Sequence, residues 1–274
     1  MIASARKIPT KFAKRAGFSL IELMIALVAG LVVSYAVLAF SMASFKSNGE
    51  YVQSTRLTQG LRDTLDFTTR ELRRAGYDEN SLSYLAAGTN SPFSPMVIAN
   101  SGAANSCVIY AYDRAGGTVG KVELANGEIR GLRRVVRTVN GRSVGVVEYA
   151  QSIGGVGAVP PSCAFDSTSN YASNPSTCAD TSQWCALTDP TLLNITEFKL
   201  TDNWTIVGDI DPFRIGVRNV AISVKGRLAG DDGTSYLNGV NTTYQRGLVS
   251  SIKVRSDCQK SSVASCNVAP VEIP

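Results

Sequence analysis

Histidine is absent from the 274 residues. Without it there is no Ser-His-Asp or Cys-His nucleophile, no imidazole metal ligand and no imidazole general base. None of the six cysteines forms a C-x-x-C pair, so zinc-ribbon and thioredoxin-like sites lack their spacing. Charged residues are scarce, at 18% of the chain. The first 17 residues hold no acid but carry five of the 27 basic residues: Arg6, Lys7, Lys11, Lys14 and Arg15. Taking these five from 27 leaves 22, which balance the 22 acidic residues. The formal charge of +5 therefore describes a short leader and not a basic body that would bind nucleic acid. The length suits one or two domains with a buried core.

What is present begins with a long uncharged run. From Leu23 to Phe45 there is no ionisable acid or base, and only Ser34, Ser41, Ser44 and Gly30 interrupt the apolar texture. At about 1.5 Å per residue a helix over this run spans a hydrocarbon core of ~30 Å. The cations ahead of it hold the start of the chain on the cytoplasmic side and send the rest across. A secretory signal would be cut after its apolar region. Here the polar leader ends in Gly17, directly before Phe18, and Glu22 stands at the head of the run. A charge at the centre of a membrane helix costs about 2.5–3.5 kcal/mol, and less near an end. Glu22 therefore calls for an opposite charge.

The stretch Gly17-Phe18-Ser19-Leu20-Ile21-Glu22 resembles the cleavage and methylation motif of type IV pilins and type II secretion pseudopilins. The resemblance implies that a membrane prepilin peptidase and N-methyltransferase cuts after Gly17 and methylates the new terminus at Phe18. It also implies that Glu22 pairs with the terminal ammonium of a neighbouring subunit during assembly. That role agrees with the physics, because a carboxylate in an apolar filament core needs a close cation. Thr69–Tyr77 (TRELRRAGY) and the late segment from Tyr244 to Arg255 resemble PilW-type minor pilins of type IV pili. Pseudopilin J of type II secretion shares the helix layout. A membrane-anchored periplasmic enzyme or binding domain is the remaining alternative.

Helical signals continue past the membrane run. Leu57, Leu61, Leu65 and Leu72 make an apolar stripe, with Thr68 in its gap. Asp66 and Arg70 have i,i+4 spacing, and Gly76 follows Arg73, Arg74 and Ala75 as a stop. Gly49 and Gly60 weaken the middle and predict a bend or looser section. After Gly76, β-rich runs recur at 96–99, 107–112, 119–124, 129–139, 143–149, 195–200, 204–207, 215–224 and 244–254. Residues 152–190 read as a long disulfide-pinned loop.

The expected organisation is a leader over 1–17, a transmembrane assembly helix over 18–45, an amphipathic continuation over 46–76 and a β-rich periplasmic domain over 77–274. The fold class is α+β and type IV pilin-like, a long N-terminal helix packed on an antiparallel sheet.

The even cysteine count in an anchored chain favours disulfides in an oxidising compartment. Cys258 and Cys266 close a short loop and are the expected pair. Cys107 is a candidate partner for one of Cys163, Cys178 and Cys185, and the remaining connectivity stays open.

Arg130, Arg133, Arg134, Arg137 and Arg142 form the densest basic run outside the leader. With no aromatic residues interleaved and a neutral body, they read as a solvated strand face or a subunit contact and not as a phosphate-binding patch. Asp209 with Asp211, and Asp231 with Asp232, fit turn chemistry better than a calcium loop. Gly154, Gly155 and Gly157 count as loop, and Trp204 as packing.

No metal, cofactor or catalysis is expected. The implied protein is a minor pilin, anchored in the inner membrane and then carried on the pilus. It would prime assembly, sit at the tip beneath an adhesin, and support adhesion, twitching motility or DNA uptake. Its implied partners are other minor and major pilins, the peptidase and the inner-membrane assembly platform.

Overall fold

A computed structural model describes residues 17–114, 118–139, 141–151, 160–164, 184–207, 215–229, 236–237, 240–241, 245–254, 258–259 and 267–270. Among these, α1 runs unbroken from Leu20 to Arg74. The chain divides into two compact units, one up to Val52 and one from Gln53 onward.

In the second unit, α1 supplies the stripe that nucleates the core. Leu57, Leu61, Leu72 and Ala75 are buried, and Leu65 packs at the margin. Two threonines share the stripe because the helix satisfies their hydroxyls. Thr64 donates to the Gly60 carbonyl at 2.7 Å and Thr68 to the Thr64 carbonyl at 2.8 Å. Gly60 does not interrupt the helix. A Cβ there would overlap the Leu193 side chain, so the missing side chain is what seats Leu193 against α1. Arg70 lies over the Phe67 ring, 5.8 Å from its centroid, and makes no ion pair with Asp66 among the described residues.

The first sheet has five antiparallel strands in chain order: β1 (Met96–Ala99), β2 (Cys107–Ala111), β3 (Ile129–Val139), β4 (Arg142–Gln151) and β5 (Trp184–Ala186). Strand β5 falls inside the segment expected to be loop, and it pairs Trp184 with Ala150 and Cys185 with Tyr149. A seven-residue helix, α2 (Ser81–Ala87), was not anticipated. The run 119–124 is not a strand. Carboxylates replace the ladder there: Glu123 accepts from the Thr118 backbone N–H and hydroxyl, and Glu128 accepts from the Glu123 N–H at 2.6 Å. Val122 and Leu124 nevertheless reach the core.

The second sheet is built around β7 (Ile215–Leu228). Strand β6 (Leu193–Val207) lies along one side of it. Along the other side lie β10 (Arg246–Lys253) and β11 (Cys258–Gln259). Two short strands, β8 (Tyr236–Leu237) and β9 (Val240–Asn241), form a separate ribbon. The runs read separately as 195–200 and 204–207 are one continuous strand.

Alternate residues of β7, among them Val220, Ile222 and Val224, point inward. They meet Phe198, Leu200 and Ile252 from their own sheet, Val108, Tyr110, Leu132 and Val147 from the first sheet, and the α1 leucines. The two sheets touch where β4 crosses β6. Gly145 donates its N–H to Asn194 Oδ1 at 2.9 Å, and Arg134 Nε donates to the Ile195 carbonyl at 2.7 Å. The β6 register shifts between Ile195 and Glu197 at this crossing.

Candidate processing and assembly site

Gly17, Phe18 and Ser19 precede α1, and the Ser19 carbonyl accepts from the N–H groups of Glu22 at 3.0 Å and Leu23 at 3.1 Å. The Gly17–Phe18 bond is thus held just outside the first helical turn. Among the described residues, and apart from its chain neighbours, no heavy atom lies within 4 Å of where a Cβ on Gly17 would sit.

Glu22 is the acid of the first turn, where unsatisfied N–H groups leave a partial positive charge and a carboxylate is favoured. From Leu20 to Phe45 every large apolar side chain is more than half exposed, and Phe18 is 85% exposed. The apolar surface runs around the whole circumference. A helix apolar on all sides demands lipid or other helices as its surroundings. The Ser41 hydroxyl donates to the Val37 carbonyl at 2.8 Å, so this polar group is satisfied within the helix.

In the second unit the arginines of β3 correct the expectation of a solvated face. Arg130, Arg133 and Arg137 are buried, while Arg134 is half-buried and Arg142 exposed. The two faces of β3 hold different charge clusters, as strand alternation requires.

On the face toward α1, Arg130 Nη1 donates to Glu71 Oε2 at 3.4 Å and also to the Tyr149 hydroxyl. The Tyr110 hydroxyl donates to the same carboxylate oxygen at 3.2 Å. Burial, with the Glu71 carboxylate adding to it, holds the Tyr110 hydroxyl well above its ordinary pKa. Glu71 sits in the last turn of α1, so this cluster fastens the helix end to the sheet.

On the opposite face, Arg133 and Arg137 converge on Glu148. Arg133 Nε donates to Oε2 at 2.8 Å and Arg137 Nε to Oε1 at 2.9 Å. Arg133 also lies over the Trp184 ring, 4.0 Å from its centroid.

A fourth buried arginine, Arg218 of β7, forms a fork with Asp202 at 2.9 and 2.7 Å and donates to the Met96 carbonyl at 2.9 Å. It joins the second sheet to β1. These acids and arginines were not singled out as partners by sequence reasoning. The signal was available in β3: its arginines are interleaved with Ile129, Leu132, Val135 and Val139, a texture that suits a covered strand better than a wet one.

Cys107 is bonded to Cys163. Cys185 and Cys258 are also disulfide-bonded. Cys178 and Cys266 lie outside the described residues, as do the leader before Gly17, the aspartates at 209, 211, 231 and 232, and the glycines at 154, 155 and 157. Among the described residues no group of three or more Cys, Asp or Glu side chains is placed to hold a metal ion.

An uncovered apolar helix that opens on Gly-Phe and an early Glu, followed by a closed antiparallel domain, defines a pilin-like protein. Residues 12–38 match the prokaryotic N-terminal methylation motif. Residues 50–246, well over half of the chain, match the family described as prepilin peptidase-dependent protein B. The chain belongs to the prepilin peptidase-dependent protein B family. No curated protein and no solved structure matches it. Motif and apolar helix together point to a single-pass anchor in the inner membrane.

Proposed function

We propose that this protein is a minor pilin of a type IV pilus, of the PilW type. The observation that carries the reading is the bare apolar helix with a single carboxylate in its first turn, a surface that lipid or other helices must cover. Prepilin peptidase cuts after Gly17, and Phe18 becomes the N-methylated terminus. The new ammonium of one subunit then meets Glu22 of another inside the filament. Before assembly the leader faces the cytoplasm and the β-rich domain faces the periplasm.

The partners are other minor and major pilins, the assembly platform and an adhesin above the tip. Supporting adhesion, motility or DNA uptake follows from that position, and the chain itself is a structural subunit. A bond between Cys258 and Cys266 closes the C-terminal loop. Family membership supports dependence on the peptidase and leaves two filaments open, the pilus and the type II secretion pseudopilus.

Two measurements test the reading. Mass spectrometry of the mature chain should find it starting at methylated Phe18, and an intact Met1 would mean a plain anchor. Deleting the gene should remove surface pili and leave secretion of folded exoproteins intact. The opposite phenotype would assign the chain to the secretion pseudopilus.

A further inference from the structure

Cys107 faces Arg133 directly across the ladder of β2 and β3, and its sulfur is bonded to Cys163. Cys107 is buried, whereas Cys163 is half-buried on a strap formed by residues 160–164. Arg133 grips that strap on both sides of the cysteine. Its Nη1 donates to the Ser162 carbonyl at 3.4 Å and to the Ala164 carbonyl at 2.5 Å. Both cysteines line a cleft of about 520 Å³ that is open to solvent, together with Asn100, Asn105 and Val136. Cys258, also oxidised, is 1% exposed.

We propose that the Cys107–Cys163 bond is a thiol–disulfide exchange site, and that opening it releases the strap from the buried Arg133–Glu148–Arg137 cluster. Both cysteines line the cleft, and an incoming thiolate attacks Cys163, the more exposed of the two. Attack forms a mixed disulfide at Cys163 and breaks the original bond, and Cys107 departs as the thiolate with the bonding electron pair. Arg133, paired with Cys107 in the ladder, supplies positive charge on that face for the leaving thiolate. The second thiolate of the same dithiol reductant then attacks the mixed disulfide and frees Cys163. Two electrons and two protons end on this chain, and the reductant leaves as a disulfide. In the reverse direction a disulfide oxidant closes the strap. The partner is therefore a dithiol–disulfide reagent.

The conformational consequence follows from charge. Among the described residues, two guanidinium groups share the Glu148 carboxylate in this cluster, away from water. The two strap carbonyls and the face of Trp184 solvate Arg133 in place of water. Opening the bond removes the strap's covalent link to β2 and lets water compete with Arg133 for its carbonyls.

The test uses the full mature chain in detergent micelles, with Trp204→Phe so that Trp184 is the only indole. The chain is treated with graded dithiothreitol without denaturant, then alkylated with iodoacetamide and mapped by mass spectrometry. Cys107 and Cys163 should be labelled while Cys258 remains unlabelled. Over the same titration Trp184 emission should move to the red and become quenchable by acrylamide. The Cys107→Ser, Cys163→Ser double variant should show that emission without reductant. Labelling of the pair only together with Cys258 on denaturation would overturn the proposal, as would Trp184 emission unchanged on reduction. Because the reduction experiment uses both native cysteines, it decides the matter even if the double variant fails to fold.

Discussion

Gly145 of β4 lies directly beneath the Ile195 carbonyl of β6, with no room for a Cβ between them. This contact is where the first sheet meets the second, and the Arg134 guanidinium donates to the same carbonyl. The obstacle to a larger residue is backbone, which cannot swing aside as a side-chain end can.

Gly145→Ala should therefore destabilise the domain by about 3 kcal/mol, the upper range for overpacking in a closed core. Gly141→Ala provides the comparison. Gly141 has φ 76° and open space around its Cβ position. Only left-handed backbone strain applies there, about 1–2 kcal/mol. Thermal melts of the two variants should rank Gly145→Ala well below Gly141→Ala; equal melting temperatures would mean that the β4–β6 crossing yields easily.

The buried cluster on β3 makes an asymmetric prediction. Glu148→Ala strands two guanidinium groups in the interior and should cost about 3–5 kcal/mol, the range for breaking a buried ion pair from one side. Arg137→Met leaves Glu148 still paired with Arg133 at 2.8 Å, so its cost should be smaller. Denaturant unfolding of the two variants checks the order. A Glu148→Ala chain as stable as Arg137→Met would show that water enters the cluster freely.

These two sites mark how far the sequence could be read. Strands β1 and β3 fall where alternation and flanking turns put them, at Met96–Ala99 and Ile129–Val139. The α1 stripe at Leu57, Leu61 and Leu72 is the one that packs. These features are legible because periodicity and turn residues act locally. The burial of Arg133 and Arg137 was not, because it depends on Glu148 in the next strand and on a strap about thirty residues away along the chain. Gly60 misled for the same reason: helix propensity predicts weakness, and only the distant Leu193 reveals its use. The strand expected at 119–124 failed because the Glu123 and Glu128 carboxylates took over the hydrogen bonding. The N-terminal methylation motif was legible without tertiary context, because its residues lie close together in the chain.

Two carboxylates should respond to pH in opposite senses. Burial raises the Glu128 pKa above its ordinary value, with the Asp113 and Glu123 carboxylates adding to the effect and the backbone N–H groups of Glu123 and Arg114 opposing it. A raised folded-state pKa contributes stability that is full below the unfolded value, about 4.3, and is lost as pH rises through the folded value. Glu128→Gln should therefore be more stable than the parent at neutral pH, with the gap closing below about pH 4. Glu197 is lowered by its hydrogen bond from Lys225, and its contribution is present at neutral pH and lost on acidification. Glu197→Gln should accordingly be the less stable form at neutral pH and converge with the parent in acid. Melting temperatures measured across pH 3–8 test both signs, and a Glu128→Gln gap that widened on acidification would reverse the assignment.

Glu22 supplies the prediction closest to function. It is the acid of the first turn, whereas the proposed cleavage bond, Gly17–Phe18, lies ahead of the helix. Cutting and pairing are therefore separable. Glu22→Gln keeps the size and hydrogen-bonding capacity of the side chain but removes the charge that would meet a neighbour's terminal ammonium. Glu22→Ala removes both. In either variant the mature chain should still begin at Phe18, while its amount in sheared filaments falls sharply. Because an uncharged residue enters lipid more easily, the variants should remain in the membrane fraction. Loss of the chain from membrane and filament together would indicate degradation and not an assembly defect. Normal incorporation of Glu22→Gln would show that packing of the apolar helices alone recruits the subunit, and the charge-pairing role would have to be abandoned.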